Sequence, residues 1–191
     1  MQRQRSYAVD WRFISLWIVN EERIGQEWYT PEYRQGHFVG HQLLRVADAI
    51  RRASADDAEA VGRWYTALGE ALHVGQGREE VRADVGVAAR ELLAASGFDP
   101  ALAAAADDDS HDEHLRADTE LALGRTGRDV GTPILTFHPG TEREASFFGP
   151  VISKAPRGEE ALELWDAVEK LATMSGVAEL KRSNRQPLDF T

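Results

Sequence analysis

The sequence has 191 residues, a formal net charge of −10 from 32 acidic and 22 basic residues, and no cysteine. The acidic balance argues against non-specific binding to nucleic acid or anionic lipid, and the lack of cysteine excludes disulfides, thiolate nucleophiles and cysteine-based zinc sites. Because no apolar run could span a bilayer or serve as a signal peptide, we expect a cytoplasmic protein without a membrane or nucleic-acid partner.

The first half of the chain predicts one strand followed by helices. Residues 10–19 alternate aromatic and aliphatic side chains, which is typical of a well-buried strand. Thr30 fits a helix N-cap and the proline after it fits the first helical position, so a helix is expected over 31–52. A second helix is expected after Asp57, and a third over 78–95, where a Ser-Gly pair ends it.

The middle of the chain continues with helical signals. Asp99 and the proline after it open a short alanine-rich helix. Ser110 and Glu113 have the spacing of a capping box, which predicts a further helix that ends near Leu123.

The last third predicts a hairpin and a final helix. Two short β-prone runs, 134–137 and 145–148, are separated by a glycine-containing turn. Pro133 stands at the mouth of the first run, where it suits the first residue of a strand, an edge or a bulge. An amphipathic helix is expected over 158–174.

This order of elements indicates an α/β core with a helical insertion. The two segments 1–30 and 126–191 would form the core. The helices of 31–125 would form a separate block inserted between them.

Three charged or histidine-rich features could suggest metal or ligand binding, but each is also explained by ordinary packing or solvation. His37 and His41 have the i, i+4 spacing of a metal-binding pair, but no acidic residue lies within a turn of either, and one pocket-lining and one packed or solvated histidine explain them better. The acid-rich run 107–114 fits a solvated helix start, and Arg51 with Arg52 fits a solvated surface. We therefore predict no metal site.

The tryptophans fall into two groups. Four of the five lie on apolar faces and are expected in the core. Trp28 lies in a loop before the 31–52 helix, so it is a candidate for substrate contact.

Several motifs together resemble a known family. The C-terminal third, from the Val-Gly-Thr-Pro run through the Phe-Phe-Gly hairpin to the last helix, resembles the back half of a DsbA-like thioredoxin fold. The motifs closest to the mycothiol-dependent nitroreductases, a branch related to the 2-hydroxychromene-2-carboxylate isomerases, are FISLWIVNEE, PEYRQGH, WYTALGEALH and ELKRSNRQP.

The resemblance implies a thioredoxin-like fold with a helical lid and a thiol-dependent reductase activity. It implies no bound cofactor, but mycothiol or a similar low-molecular-weight thiol as co-substrate, and an electrophilic small molecule as substrate. Thr132 and Pro133, with a cis bond between them, would form the loop that faces the thiol. Further pocket residues implied by the resemblance are Asn20, Tyr33 and His73.

The sequence departs from the family at its N-terminal end. The family's first strand, its Cys-Pro-x-Cys element and most of its first helix have no counterpart here. Either the start of the chain is misplaced, or the protein is a relative that has lost its redox centre.

Three hypotheses follow from this departure. The first is a reductase that is complete only with the missing element, so that the cysteine-free chain is inactive. The second is a non-catalytic binding module that allows a homodimer through an open sheet edge. A third, weaker hypothesis is a metal-dependent protein that uses the histidine pairs.

Overall fold

The computed structural model describes residues 5, 7–74, 77–184 and 186–189. The parts of the predicted core that fall on residues 1–4, 6, 185 and 190–191 lie outside the described residues. The described chain is mixed α/β and mostly helical, with a small two-stranded sheet. It divides into two compact units, one of residues 9–121 and one of residues 1–8 with 122–191.

The helices and strands have the following bounds. The α-helices are α1 Leu16–Val19, α2 Pro31–Ala53, α3 Ala60–Gly69, α4 Arg78–Ala83, α5 Val85–Ala95, α6 Asp112–Thr126 and α7 Gly158–Ala172. Short 3-10 helices cover Glu21–Arg23, Pro100–Asp107 and Asp109–His111, and a one-turn π-helix covers Glu70–Val74. The strands are β1 Ile134–Phe137 and β2 Ala145–Phe148. No helix of the described residues is both long and apolar enough to cross a bilayer.

Helix α2 is the centre of the 9–121 unit. It begins as predicted, because the Thr30 hydroxyl accepts a hydrogen bond from the backbone N–H of Tyr33 and Pro31 occupies the first turn. Its apolar stripe is buried against α1, α3, α5 and the 3-10 helix Pro100–Asp107. Fully buried apolar side chains of this core are Val46, Ile50, Trp64, Leu93 and Leu115.

The prediction of a strand over residues 10–19 is wrong. Residues 7–15 have no regular structure, and the segment continues as helix α1. A strand must pair its backbone with a neighbouring strand. Here the backbone N–H groups instead donate hydrogen bonds to side chains of α6. The N–H of Phe13 donates to Asp118 (3.2 Å) and that of Ser15 to Thr119 (3.1 Å). Phe13 and Ser15 are both buried, so every second residue points inward as it would in a strand.

The predicted helix over 78–95 is two helices. Asp84 interrupts it with an extended backbone, at φ −151° and ψ 99°. Its carboxylate accepts a hydrogen bond from the N–H of Val87 (2.9 Å) and so caps α5.

The 122–191 segment holds the predicted hairpin. Strands β1 and β2 pair antiparallel, with Ile134 opposite Phe148 and Phe137 opposite Ala145. Helix α7 packs on β2, and its Trp165 contacts the ring of Phe137 at 5.4 Å between centroids. The hairpin and the final helix are therefore confirmed.

We expect the Asp84 cap to stabilise the protein by about 1 kcal/mol. Asp84→Ala should lower the free energy of unfolding in urea by that amount, because the first turn of α5 then loses an acceptor for its N–H groups. Asp84→Asn keeps an acceptor oxygen and should retain most of the stability. Equal losses in the two variants would contradict the capping role.

Candidate functional site

The first turns of α2 carry two aromatic rings on one face. Tyr33 and His37 are four residues apart, which places them on neighbouring turns of a helix, and their ring centroids are 4.6 Å apart. Tyr33 is 53 % exposed, whereas His37 is half-buried. The face is therefore open at Tyr33 and more enclosed at His37.

Two further side chains reach the His37 ring. Asn20, at the C-cap of α1, is only 5 % exposed, and its amide nitrogen lies 3.4 Å from His37 Nδ1. The hydroxyl of Tyr29, which is also 5 % exposed, lies 3.2 Å from the same nitrogen. One ring nitrogen of His37 thus has two polar neighbours.

Burial favours the uncharged forms of His37 and Tyr29. It lowers the pKa of His37, because desolvation disfavours the imidazolium. It raises the pKa of the Tyr29 phenol for the corresponding reason, desolvation of the phenolate. Both pKa shifts therefore favour neutral hydrogen bonding between Tyr29 and His37.

Trp28 borders the cluster on its exposed side. Its ring is 50 % exposed and lies 5.6 Å from the Tyr29 ring and 6.3 Å from the Tyr33 ring, between centroids. The guanidinium of Arg23 lies 5.4 Å above it. We call these five side chains, Asn20, Trp28, Tyr29, Tyr33 and His37, the aromatic cluster.

The aromatic cluster unites three of the six residues predicted for the site. Asn20, Trp28 and Tyr33 come together around His37, which the sequence singled out only as one member of the His37–His41 pair. The i, i+4 spacing of Tyr33 and His37 was a usable signal for that ring. Tyr29 gave no such signal, because it lies in an irregular loop.

The other three predicted residues lie elsewhere in the chain. Thr132 and Pro133 are exposed just before β1, the peptide bond between them is cis, and the Pro133 carbonyl accepts from the N–H of Gly149 at 2.8 Å. His73 lies in the π-helix Glu70–Val74, which packs against α3 and α4.

A second group of residues, Ser15, His41 and Asp112, has the connectivity of a catalytic triad. The Ser15 hydroxyl lies 2.8 Å from His41 Nδ1, and His41 Nε2 lies 2.9 Å from the Asp112 carboxylate. Ser15 and His41 are almost fully buried, and the Ser15 oxygen accepts from the N–H of Ile18 as the N-cap of α1. Since a nucleophile must reach its substrate, this chain of hydrogen bonds is structural.

The ionisation of His41 fits that structural role. Burial lowers its pKa, although the neighbouring Asp112 carboxylate opposes the effect. A neutral ring donates from Nε2 to Asp112 and accepts from Ser15 at Nδ1. His37 and His41, one turn apart, thus contact different partners.

A third group, around Asp48, is a buried ion cluster between α2 and the start of α6. The fully buried Asp48 carboxylate accepts from Arg51 (2.6 Å), Arg52 (2.8 Å) and His111 Nδ1 (2.7 Å). Arg51 also reaches Asp118 at 2.8 Å. We call this group the Asp48 ion cluster.

An open cleft of about 370 Å³ lies over the Asp48 ion cluster. Its lining is mainly charged and comprises Asp10, Arg12, Asp48, Arg51, Arg52, His114, Ala117 and Asp118. The arginine and aspartate side chains of the lining already pair with one another. The cleft therefore reflects internal ion pairing.

Two expectations about these charges are wrong. Arg51 is not a solvated surface residue, because two buried carboxylates hold it. The run 107–114 is not wholly solvated, since His111 is buried against Asp48 and Asp112 pairs with Arg45 and His41. Asp108 is the N-cap of the 3-10 helix Asp109–His111, which precedes α6, and its carboxylate accepts a hydrogen bond from the N–H of Ser110.

Within the described residues, no group of three or more His, Cys, Asp or Glu side chains is arranged to hold a metal ion.

Comparison with known proteins supplies the family. A family model described as mycothiol-dependent nitroreductase Rv2466c matches residues 1–182. The chain belongs to the Rv2466c-like family. A relative from Mycobacterium tuberculosis (strain ATCC 25618 / H37Rv), the uncharacterized protein Rv2286c, is 30 % identical over 191 residues. That match covers 99 % of this chain and 74 % of the relative. The predicted resemblance to the mycothiol-dependent nitroreductases is thus confirmed at the level of the family.

We expect the Asp48 ion cluster to make this Rv2466c-like protein sensitive to acid. Burial alone would raise the pKa of Asp48, but hydrogen bonds from His111 and Arg51 and the charges of Arg51 and Arg52 outweigh it, so the pKa is lowered. The stabilisation is complete above the unfolded-chain pKa of about 3.9 and is lost as pH falls through the lower folded-state value.

Asp48→Asn tests this expectation. It should lower the free energy of unfolding at pH 7 by roughly 1–3 kcal/mol, because Arg51, Arg52 and His111 lose a buried acceptor and its charge. Urea unfolding from pH 7 to pH 2 should also show a weaker pH dependence below pH 4 than in the parent chain. An unchanged acid dependence would contradict the assignment.

Proposed function

We propose that this chain binds mycothiol and serves in the mycothiol-dependent reduction of an electrophilic small molecule. Membership of the Rv2466c-like family supports the thiol and the reductase class. The observation that carries the proposal within the chain is the aromatic cluster. It brings together Asn20 and Tyr33, which the family resemblance assigned to the pocket, and Trp28, which was a candidate for substrate contact because it lies in a loop.

We also propose that the fold is thioredoxin-like, with the helices of 31–125 as its lid. The hairpin β1–β2 followed by α7 supports this proposal, since it is the order expected for the back half of that fold. Thr132 and Pro133 would present their exposed backbone to the thiol. His73 would contribute from the π-helix.

The chemistry limits what this chain supplies. When two thiols reduce an acceptor, they are oxidised to one disulfide and deliver two electrons and two protons. The attacking group is a thiolate, and the 191 residues contain no cysteine. We therefore propose that these residues bind and orient the thiol, and that no protein thiolate among them takes part.

The lack of cysteine also favours a second candidate, a non-catalytic binding module. Both candidates predict a mycothiol site at the aromatic cluster. They differ in whether bound mycothiol is turned over.

Calorimetric titration with mycothiol tests the shared part. We expect the wild-type chain to bind, and Asn20→Ala and Tyr33→Phe each to weaken binding roughly fivefold, the effect of losing about one hydrogen bond. Asn184→Ala, at an exposed asparagine near the C-terminus, is the matched control and should leave binding unchanged. Binding that is unaffected by Asn20→Ala and Tyr33→Phe would place the thiol elsewhere.

Steady-state assays with mycothiol and a nitroaromatic acceptor test the redox part. The cysteine-free chain should not raise the rate above that of mycothiol alone. Reproducible turnover by this chain would contradict the need for a protein thiolate.

A further inference from the structure

His37 stands at the centre of the aromatic cluster but has no role in the proposed function so far. Its ring touches Tyr33 and Tyr29, at 4.6 and 5.6 Å between centroids. The two nitrogens of a neutral imidazole differ, since one donates and the other accepts. The role of His37 therefore depends on which nitrogen carries the proton.

The contacts of Asn20 decide the position of that proton. The Asn20 side-chain nitrogen lies 2.7 Å from the carbonyl oxygen of Leu16. A carbonyl only accepts, so the NH₂ end of the amide must face it, and this fixes the orientation of the amide. The same NH₂ lies 3.4 Å from His37 Nδ1. Because an amide NH₂ only donates, Nδ1 is the accepting nitrogen and the proton is on Nε2.

Tyr29 reinforces this tautomer. Its phenol is held neutral by a raised pKa, as is His37 by a lowered one. A hydroxyl can donate or accept, and because Asn20 makes Nδ1 the accepting nitrogen, the Tyr29 hydroxyl 3.2 Å away donates to it. Two donors directed at one nitrogen favour the neutral ring with Nδ1 unprotonated.

The remaining polar group of the ring is the Nε2–H. Among the residues that the structure describes, none accepts a hydrogen bond from it. The neighbouring aromatic surfaces, Trp28 and Tyr33, are half-exposed, so a molecule that covers them lies beside the His37 ring.

We propose that His37 is a specificity-determining residue that donates a hydrogen bond from Nε2–H to an acceptor oxygen of the thiol bound on Trp28 and Tyr33. Asn20 and Tyr29 act as positioning residues that hold His37 in the donating tautomer. This inference rests on the proposed function, since that function places the thiol on these rings. It also implies that the buried Asn20 affects the ligand through His37.

Nuclear magnetic resonance of the histidine-labelled chain tests the tautomer without any ligand. We expect the long-range proton–nitrogen spectrum to show His37 neutral at pH 7, with its proton on Nε2. Tyr29→Phe should raise the apparent pKa of His37 and increase the fraction of the other tautomer. A predominant Nδ1–H tautomer in the wild-type chain would overturn the proposal.

Calorimetric titration with mycothiol tests the donor itself. His37→Phe keeps a ring of similar shape but has no donor, and it should weaken binding roughly fivefold. His37→Gln places an amide N–H near the position of Nε2–H and should restore binding to within about twofold of wild type. Gln35→Ala, at an exposed position of the same helix, is the control, and melting curves check that each variant folds.

The outcomes separate this inference from the function on which it rests. If the wild-type chain binds mycothiol and His37→Phe binds equally well, the inference is wrong and the proposed function stands. If the wild-type chain does not bind mycothiol, the proposed function fails and the ligand contact fails with it. The histidine spectrum still decides the tautomer in that case.

Discussion

The polar side of helix α2 is the constraint on which the 9–121 unit depends. Asp48 is fully buried and holds Arg51, Arg52 and His111, while one and two turns earlier Arg45 and His41 both pair with Asp112. A buried charge is tolerated only when it is paired, because its hydration is lost. These pairs fix α2 against the start of α6, and the apolar stripe on its other side fixes it against α3 and α5.

The position of α2 in turn sets the geometry of the aromatic cluster. Tyr33 and His37 lie on its first turns, and His41 connects the next turn to Ser15 and the start of α1. Helix α1 ends at Asn20, whose amide reaches back to His37. The hydrogen bonds of His41 thus hold α1 so that Asn20 contacts His37. Of the two histidines one turn apart, His41 stabilises the fold and His37 belongs to the aromatic cluster.

The sequence predicts local structure well wherever the local signal is also the deciding one. Thr30 and Pro31 start α2 as expected, and the two β-prone runs form the hairpin with a defined register. The strand over 10–19 fails because its backbone partners are Asp118 and Thr119, a hundred residues away and invisible to a periodicity argument. The prediction of one continuous helix over 78–95 fails because of a local interaction. The side-chain cap of Asp84 interrupts a helical pattern that is otherwise continuous.

The site shows the same division. The family resemblance singled out Asn20 and Tyr33, the loop position singled out Trp28, and the structure brings these three together. His37 was visible only as a spacing, and its chemistry depends on which nitrogen Asn20 faces. Asp48 and His111 could not be anticipated, because their burial follows from the contact of α2 with the 3-10 helix Asp109–His111 and their local sequence is rich in charged residues.

The central claim is that mycothiol binds at the aromatic cluster. Titration of the isotope-labelled chain with mycothiol, followed by the backbone amide and indole signals, tests it most directly. The account predicts saturable shifts centred on Asn20, Trp28, Tyr33 and His37, with the Trp28 indole N–H among the largest. Shifts that are absent, or that centre on the charged cleft over Asp48, would contradict it.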